Sequence, residues 1–301
     1  MQRRQLSIVA SALSDDPRQA PRVARLHDFA GLLYDAFSAA LNIPDLSPSG
    51  RRDFRHLLSA ENRQLVALRC DLGPHGLGPG ADVDRAIARL GKVMESAAAL
   101  RSPLLCVDVG PLPNPPRQEK PKPRVKPEEA GLIIIPSPLQ AASEASTLHH
   151  VPEKIDPNFP IRVDAALREL GKLADRLSVS IALRSDLSSF AALERALSAA
   201  NCPWFGVDLD PVAILRDEWD IDEIFSRLGP FIRHVRARDA VRGDDRRTRA
   251  VAIGAGSVNW NQLLSHLNDA AYEGFLTIDP IELPDRLGCA IAGRDHLRLL
   301  R

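Results

Sequence analysis

A short apolar run, a turn and a longer amphipathic segment recur eight times along this chain, and that rhythm limits the folds open to it more than any single motif does. Short apolar runs bounded by turn residues read as buried parallel strands. They fall at Leu6–Leu13, Gly31–Asp35, Leu65–Cys70, Leu104–Val109, Val179–Leu183, Trp204–Leu209, Ile232–Ala237 and Phe275–Ile278. Between and after them, apolar residues at helical spacing predict helices over Asp16–Asp28, Gly50–Asn62, Ala81–Leu100, Ile161–Leu177, Ser188–Ala200, Asp220–Leu228, Asn259–Ala271 and Leu283–Leu300. Eight strands alternating with eight helices predict an α/β fold, a closed (β/α)8 TIM barrel, rather than an open doubly wound sheet. At 301 residues the whole chain, 1–301, reads as one such domain carrying an insertion.

Composition removes several classes of function. The 39 basic and 39 acidic residues cancel, and a neutral chain lacks the basic face of a dedicated nucleic-acid binder. No apolar run is long enough to span a bilayer, so no membrane role is expected. The four cysteines, Cys70, Cys106, Cys202 and Cys289, are too sparse for a disulfide scaffold and lack the close spacing of a zinc or redox motif. The short run after Met1-Gln2-Arg3-Arg4 is interrupted by Ser7 and Ser11 and is needed as the first strand, so a cytoplasmic location is expected. No glycine-rich GxGxxG follows that strand, which leaves dinucleotide binding without support.

One segment breaks the rhythm. Between the fourth strand and the fourth helix, residues 111–160 hold half of the 24 prolines. Arg117–Glu129 alternates charge with proline and cannot build a core, which predicts an extended excursion. Leu132–Ile135 reads as a short strand pinning it back, and His149-His150 as a solvated pair.

In such barrels chemistry comes from the C-terminal ends of the strands. Here those ends are charged: Asp35, Arg69 and Asp71, Asp108, Arg184 with Asp186 just beyond, Asp208 and Asp210, then His234, Arg236 and Arg238, and finally Asp279. Strand alternation puts Asp208 with Asp210, and His234 with Arg236 and Arg238, on one face. His75, in the turn Gly73-Pro74-His75-Gly76, is a further candidate as a ligand contact or near-neutral acid–base group.

The order of four pieces then carries a resemblance. They are Phe205-Gly206-Val207-Asp208-Leu209-Asp210-Pro211, Ile232-Arg233-His234-Val235-Arg236-Ala237-Arg238-Asp239-Ala240, Ile253-Gly254-Ala255-Gly256-Ser257-Val258-Asn259-Trp260 and Tyr272-Glu273-Gly274-Phe275-Leu276-Thr277-Ile278-Asp279. Over Val179–Asp285 the chain resembles the xylose isomerase-like TIM barrels, often labelled sugar phosphate isomerases/epimerases. The resemblance implies a carbohydrate as the small-molecule partner. It also implies a divalent metal (Mn, Mg, Co or Zn) held by two Glu, one Asp and one His from the fifth to eighth strands. Only His234 stands on a predicted strand, short of the several His and Glu that the three-zinc site of the related endonuclease IV fold needs.

Carried over position by position, the implied ligand set becomes Arg184, Asp210, Arg236 and Asp279, because His234 matches the earlier, non-ligating histidine of the motif. Guanidinium has no lone pair to give and stays protonated, so no metal cofactor is expected there. A cation displaced towards Asp35, Asp71 or Asp108 is the alternative. Two Asp and two Arg balance in charge, which predicts either an internal salt-bridge cluster or a site where Arg184, Arg236, Arg238 and Arg69 bind an anionic sugar. The expected activity is isomerase- or epimerase-like, with Asp210 and Asp279 as acid and base and Arg184 and Arg236 stabilising an enediolate in place of the metal. The alternative is a non-catalytic barrel that binds an anionic sugar or a protein, and an oligomer is compatible with either.

Overall fold

The computed structural model describes residues 5–114, 158–184, 189–243 and 247–300. All eight predicted strands form: β1 Leu6–Val9, β2 Gly31–Asp35, β3 Gln64–Asp71, β4 Leu104–Asp108, β5 Ser180–Arg184, β6 Phe205–Leu209, β7 Ile232–Ala237 and, last in the chain, β10 Leu276–Ile278. They pair in parallel, each with its sequence neighbour, and β10 closes on β1. The result is a closed eight-stranded (β/α)8 barrel.

Helices α1 Ala20–Leu26, α2 Pro48–Ala60, α3 Val83–Leu100, α4 Phe159–Leu177, α5 Phe190–Ala200, α6 Pro211–Asp217, α7 Ile221–Leu228, α8 Trp260–Asp269 and α9 Arg286–Leu299 occur between and after the strands. Local chemistry fixes where most of them start. Side-chain oxygens of Ser47, Asp82, Ser189, Asp210, Asp220, Asn259 and Asp285 accept first-turn amides of α2, α3 and α5–α9.

Three sequence expectations change. Leu6–Leu13 is strand only to Val9, and Ala10–Ala12 is a turn of 3-10 helix. That turn brings the Ser11 hydroxyl to 3.4 Å from Asp35 Oδ2. An unforeseen short helix, α6, starts directly off β6, nucleated by Asp210 as its cap and Pro211 in its first turn. An antiparallel hairpin, β8 Asp239–Arg242 with β9 Thr248–Val251, stands beyond β7. The expected features at Arg117–Glu129, Leu132–Ile135, His149-His150 and Asp186 lie outside the described residues, and α4 starts at Phe159, just inside the predicted insertion.

The barrel interior is divided. Val9, Leu33, Ala67, Leu104, Cys106 and Ala182 form an apolar cluster contributed mainly by β2–β5. The opposite wall, β1, β10, β7 and β6, is polar and buried: Ser7 Oγ lies 2.7 Å from Thr277 Oγ1, which lies 2.6 Å from His234 Nε2, and His234 Nδ1 lies 2.5 Å from Asp208 Oδ1. This chain of bonds satisfies the polar groups that the interior could not otherwise hold. A larger apolar jacket, including Phe29, Met94, Leu105, Leu167 and Phe205, fills the layer between strands and helices.

Gly206 sits in β6 where a Cβ would stand 2.2 Å from the Phe231 carbonyl oxygen. Backbone cannot yield there as a side chain would, so Gly206→Ala should destabilise by about 1–3 kcal/mol. A lowered thermal midpoint checks this; an unchanged midpoint would show that β6 and the turn before β7 separate freely.

Candidate active site at the mouth of the barrel

Towards the C-terminal ends of the strands from β2 round to β10 stand residues of alternating sign, Asp35, Arg69, Asp108, Arg184, Asp210, Arg236 and Asp279, with Arg238 just beyond β7. Four carboxylates and four guanidiniums therefore share the mouth. Arg69 bridges Asp35 through Nε (2.6 Å) and Asp279 through Nη1 (2.8 Å). Arg236 Nε donates to the same Asp279 Oδ2 at 2.6 Å. Arg184 Nη1 donates to Asp108 at 2.6 Å. Arg238 Nε donates to both oxygens of Asp210, at 3.0 and 2.8 Å, and its Nη1 reaches Glu282 at 2.7 Å.

The sequence-predicted residues Arg69, Arg184, Asp210, Arg236, Arg238 and Asp279 are thus brought together. His75 is not: it lies exposed in the loop after β3, where its carbonyl accepts the Gly78 amide. Asp71 is also exposed and caps its own turn through Gly73 N–H. Asp35 and Asp108, read in the sequence as charged strand ends and as neighbours of a displaced cation, are arginine partners in the cluster. Their pairing depends on which strands neighbour which, and that is tertiary information.

Burial and charge oppose each other at the two candidate catalytic groups. Asp210 is fully buried and Asp279 is 6% exposed. Burial pushes the Asp279 carboxyl up, but Arg236 and Arg69 outweigh it and hold it far below the usual carboxylate range. Burial likewise raises Asp210, and the charges of Arg238, Arg236 and Arg184 bring it below its ordinary value. Burial lowers the Arg236 guanidinium, but Asp279, Asp210 and Asp208 overcome this and raise it. Arg236 Nη1 is buried with no hydrogen-bond partner among the described residues.

This donor set does not fit a divalent cation. Two of the four implied ligand positions are guanidiniums. Both Asp210 oxygens accept from Arg238, while Asp279 Oδ2 accepts from two arginines and Oδ1 from the Ile281 amide at 3.3 Å. Beside the cluster opens a cleft of about 180 Å³ between β5, α6, β7 and the hairpin. Arg184, Arg216, Arg238, Thr248 and Glu282 line it, and of these Arg216, Thr248 and Glu282 carried no signal in the sequence.

Asp239 has a different role. Its Oδ1 accepts from Ala240 N–H (2.8 Å) and Val258 N–H (3.1 Å), and its Oδ2 from Gly254 N–H (2.9 Å) and Trp260 Nε1 (3.0 Å). One carboxylate therefore ties the hairpin, the Gly254–Val258 turn and the start of α8 to β7.

A family profile described as "Xylose isomerase-like TIM barrel" matches residues 145–298, and the chain belongs to that family. Comparison with curated proteins gives no match. Among solved structures, D-psicose 3-epimerase with D-tagatose from Clostridium cellulolyticum H10 is 13% identical with a TM-score of 0.69, covering 98% of this chain and 99% of that one. The probable 3-DHS dehydratase AsbF from Bacillus anthracis is 13% identical with a TM-score of 0.67, covering 97% and 98%. A xylose isomerase-like TIM barrel protein from Mycobacterium smegmatis, in complex with magnesium, is 14% identical with a TM-score of 0.62, covering 96% and 90%. At these identities the likeness is one of fold. Among the described residues no helix is long and apolar enough to cross a membrane.

Removing the Asp279 carboxylate should leave buried Arg236 without its bonded partner and Arg69 with Asp35 alone. Asp279→Asn is expected to cost about 3–5 kcal/mol in urea unfolding. Unfolded, the carboxyl takes a proton near pH ~4; folded, it does so only well below that. The stability it contributes is therefore complete above the unfolded value and lost as pH falls through the folded one. The acid limb of the stability profile should flatten in Asp279→Asn, and an unchanged limb would show that Asp279 is not held by charge.

Proposed function

We propose that this chain is a ligand-binding member of its family that recognises a small anionic carbohydrate, a sugar acid or sugar phosphate, without a divalent ion at the mouth and without isomerising the sugar. The observation that carries this reading is the state of the two carboxylates. A group that trades protons with a substrate must reach it and must titrate near the working pH. Asp210 has no exposed surface, Asp279 almost none, and arginines hold both as carboxylates.

The ligand class follows from the cleft beside them. Planar guanidiniums suit carboxylate and phosphate oxygens, and Arg184, Arg216 and Arg238 line one small space with the Thr248 side chain. Its volume is below the roughly 300–1,000 Å³ of drug-sized pockets, which favours a single sugar unit or less. That neighbours of the same fold were solved with D-tagatose and with D-allulose supports a monosaccharide.

A second reading retains chemistry. Asp210 and Asp279 would act as acid and base, with Arg184 and Arg236 stabilising an enediolate. The unpartnered, buried Arg236 Nη1 favours it, because it is a charged donor held beside Asp279. That reading requires the ion pairs to open when substrate enters.

Thermal unfolding with and without ligands separates the two. Aldonates and hexose phosphates should raise the midpoint while neutral hexoses do not; a hundredfold excess over Kd corresponds to about 2.7 kcal/mol. Arg216→Ala should abolish the shift, and no product should form. Product that disappears in Asp279→Asn would establish the catalytic reading. No shift with any sugar, together with a stable protein complex, would replace both by an interaction role.

A further inference from the structure

One layer below the mouth, Cys106 of β4, Asp208 of β6 and His234 of β7 meet inside the barrel. All three are buried, and a sulfur, a carboxylate oxygen and an imidazole nitrogen lie within 4.8 Å of one another. No other such group of three occurs among the described residues. None of the three is a position at which the family resemblance implies a metal ligand.

We propose that Cys106, Asp208 and His234 form a structural binding site for a borderline transition-metal cation such as Zn²⁺. The donor chemistry fits: thiolate, imidazole and carboxylate are the usual zinc ligands, whereas Mg²⁺ and Mn²⁺ favour all-oxygen sets. Charge fits as well. A thiolate and a carboxylate together neutralise a divalent cation, so the loaded site adds no net charge to the interior, where an uncompensated ion would be costly.

The bonds already present suit a ligand shell. Tetrahedral zinc with bonds of about 2.0–2.3 Å holds its donors roughly 3.5 Å apart, a spacing between the 2.5 Å of the Asp208–His234 contact and the 4.8 Å that bounds the group of three. The metal takes the place of the proton between His234 Nδ1 and Asp208 Oδ1. Nε2 then carries the imidazole proton and donates to Thr277 Oγ1, whose hydroxyl donates on to Ser7. A metal-bound histidine oriented through its other nitrogen is a common second layer of such sites.

At sulfur, the S–H bond breaks, a metal–sulfur bond forms and the proton leaves to solvent. Burial, and then the charge of Asp208, push the free thiol well up, with Arg69 and Arg236 pulling the other way. Without the cation Cys106 is therefore a thiol, and with it a thiolate. A site this enclosed fills as the chain folds, and its binding energy adds to fold stability.

Cobalt tests the proposal, because a thiolate bound to Co²⁺ gives a near-ultraviolet charge-transfer band that oxygen ligands at the mouth cannot give. The full chain, refolded with Co²⁺ or Zn²⁺ and desalted, should retain about one ion per chain and show the band with Co²⁺. Cys106→Ser should lose it, while Cys70→Ser, which removes the other fully buried thiol, should keep it. Wild-type protein that holds no stoichiometric Co²⁺ or Zn²⁺, or that binds Co²⁺ without the band, would overturn the proposal. So would a band that survives Cys106→Ser.

Discussion

Eight charges in balance, four aspartates and four arginines, close the C-terminal end of the barrel, and the character of the site depends on that balance. A single buried ion pair contributes little net stability, because desolvation nearly cancels attraction; what is costly is leaving one charge without its partner. The consequence here is collective. Arg69 links Asp35 to Asp279, and Asp279 holds Arg236. Asp210 takes Arg238 while also starting α6. Each acid is therefore committed both to an arginine and to local structure, and withdrawing one for proton transfer disturbs its neighbours.

The same logic organises the layers beneath. Polar residues gather on the β1, β10, β7 and β6 wall, where Ser7, Thr277, His234 and Asp208 satisfy one another, and apolar residues on the β2–β5 wall. Asp239, the first residue of β8, accepts four hydrogen bonds and fixes the hairpin that forms one side of the arginine-lined cleft. An aspartate in a sequence motif beside metal-ligand positions is here an anchor. Its value lies in where it puts Ala240 and Thr248, not in chemistry of its own.

Much of this was readable in the chain before folding was considered. Parallel barrel strands are apolar on both faces and bounded by turns, so the eight runs announced themselves, and the two ends of Gly31–Asp35 and Ile232–Ala237 fell where predicted. Every charged strand end was equally visible. The partnerships were not: that Asp35 pairs with Arg69, or that Arg69 reaches Asp279 across the closure of the barrel, depends on strand neighbours and register. Helix α6 and the hairpin carry no periodic signal in the sequence, because the helix Pro211–Asp217 is only seven residues long and the strands Asp239–Arg242 and Thr248–Val251 only four each. His75 is a candidate by residue type and by its turn after the third strand, and the fold leaves it exposed and outside the cluster.

Whether arginine has taken the place of metal at the mouth is best decided with Mn²⁺, an ion that favours oxygen ligands and binds thiolate sites weakly. One equivalent added to the protein, with the free ion followed by electron paramagnetic resonance, reads occupancy directly. Balanced ion pairs at Asp210 and Asp279 predict a free-ion signal undiminished by the protein. A stoichiometric loss of that signal, unchanged by Cys106→Ser, would contradict the account and return the chain to the metal-dependent chemistry that its family resemblance implies.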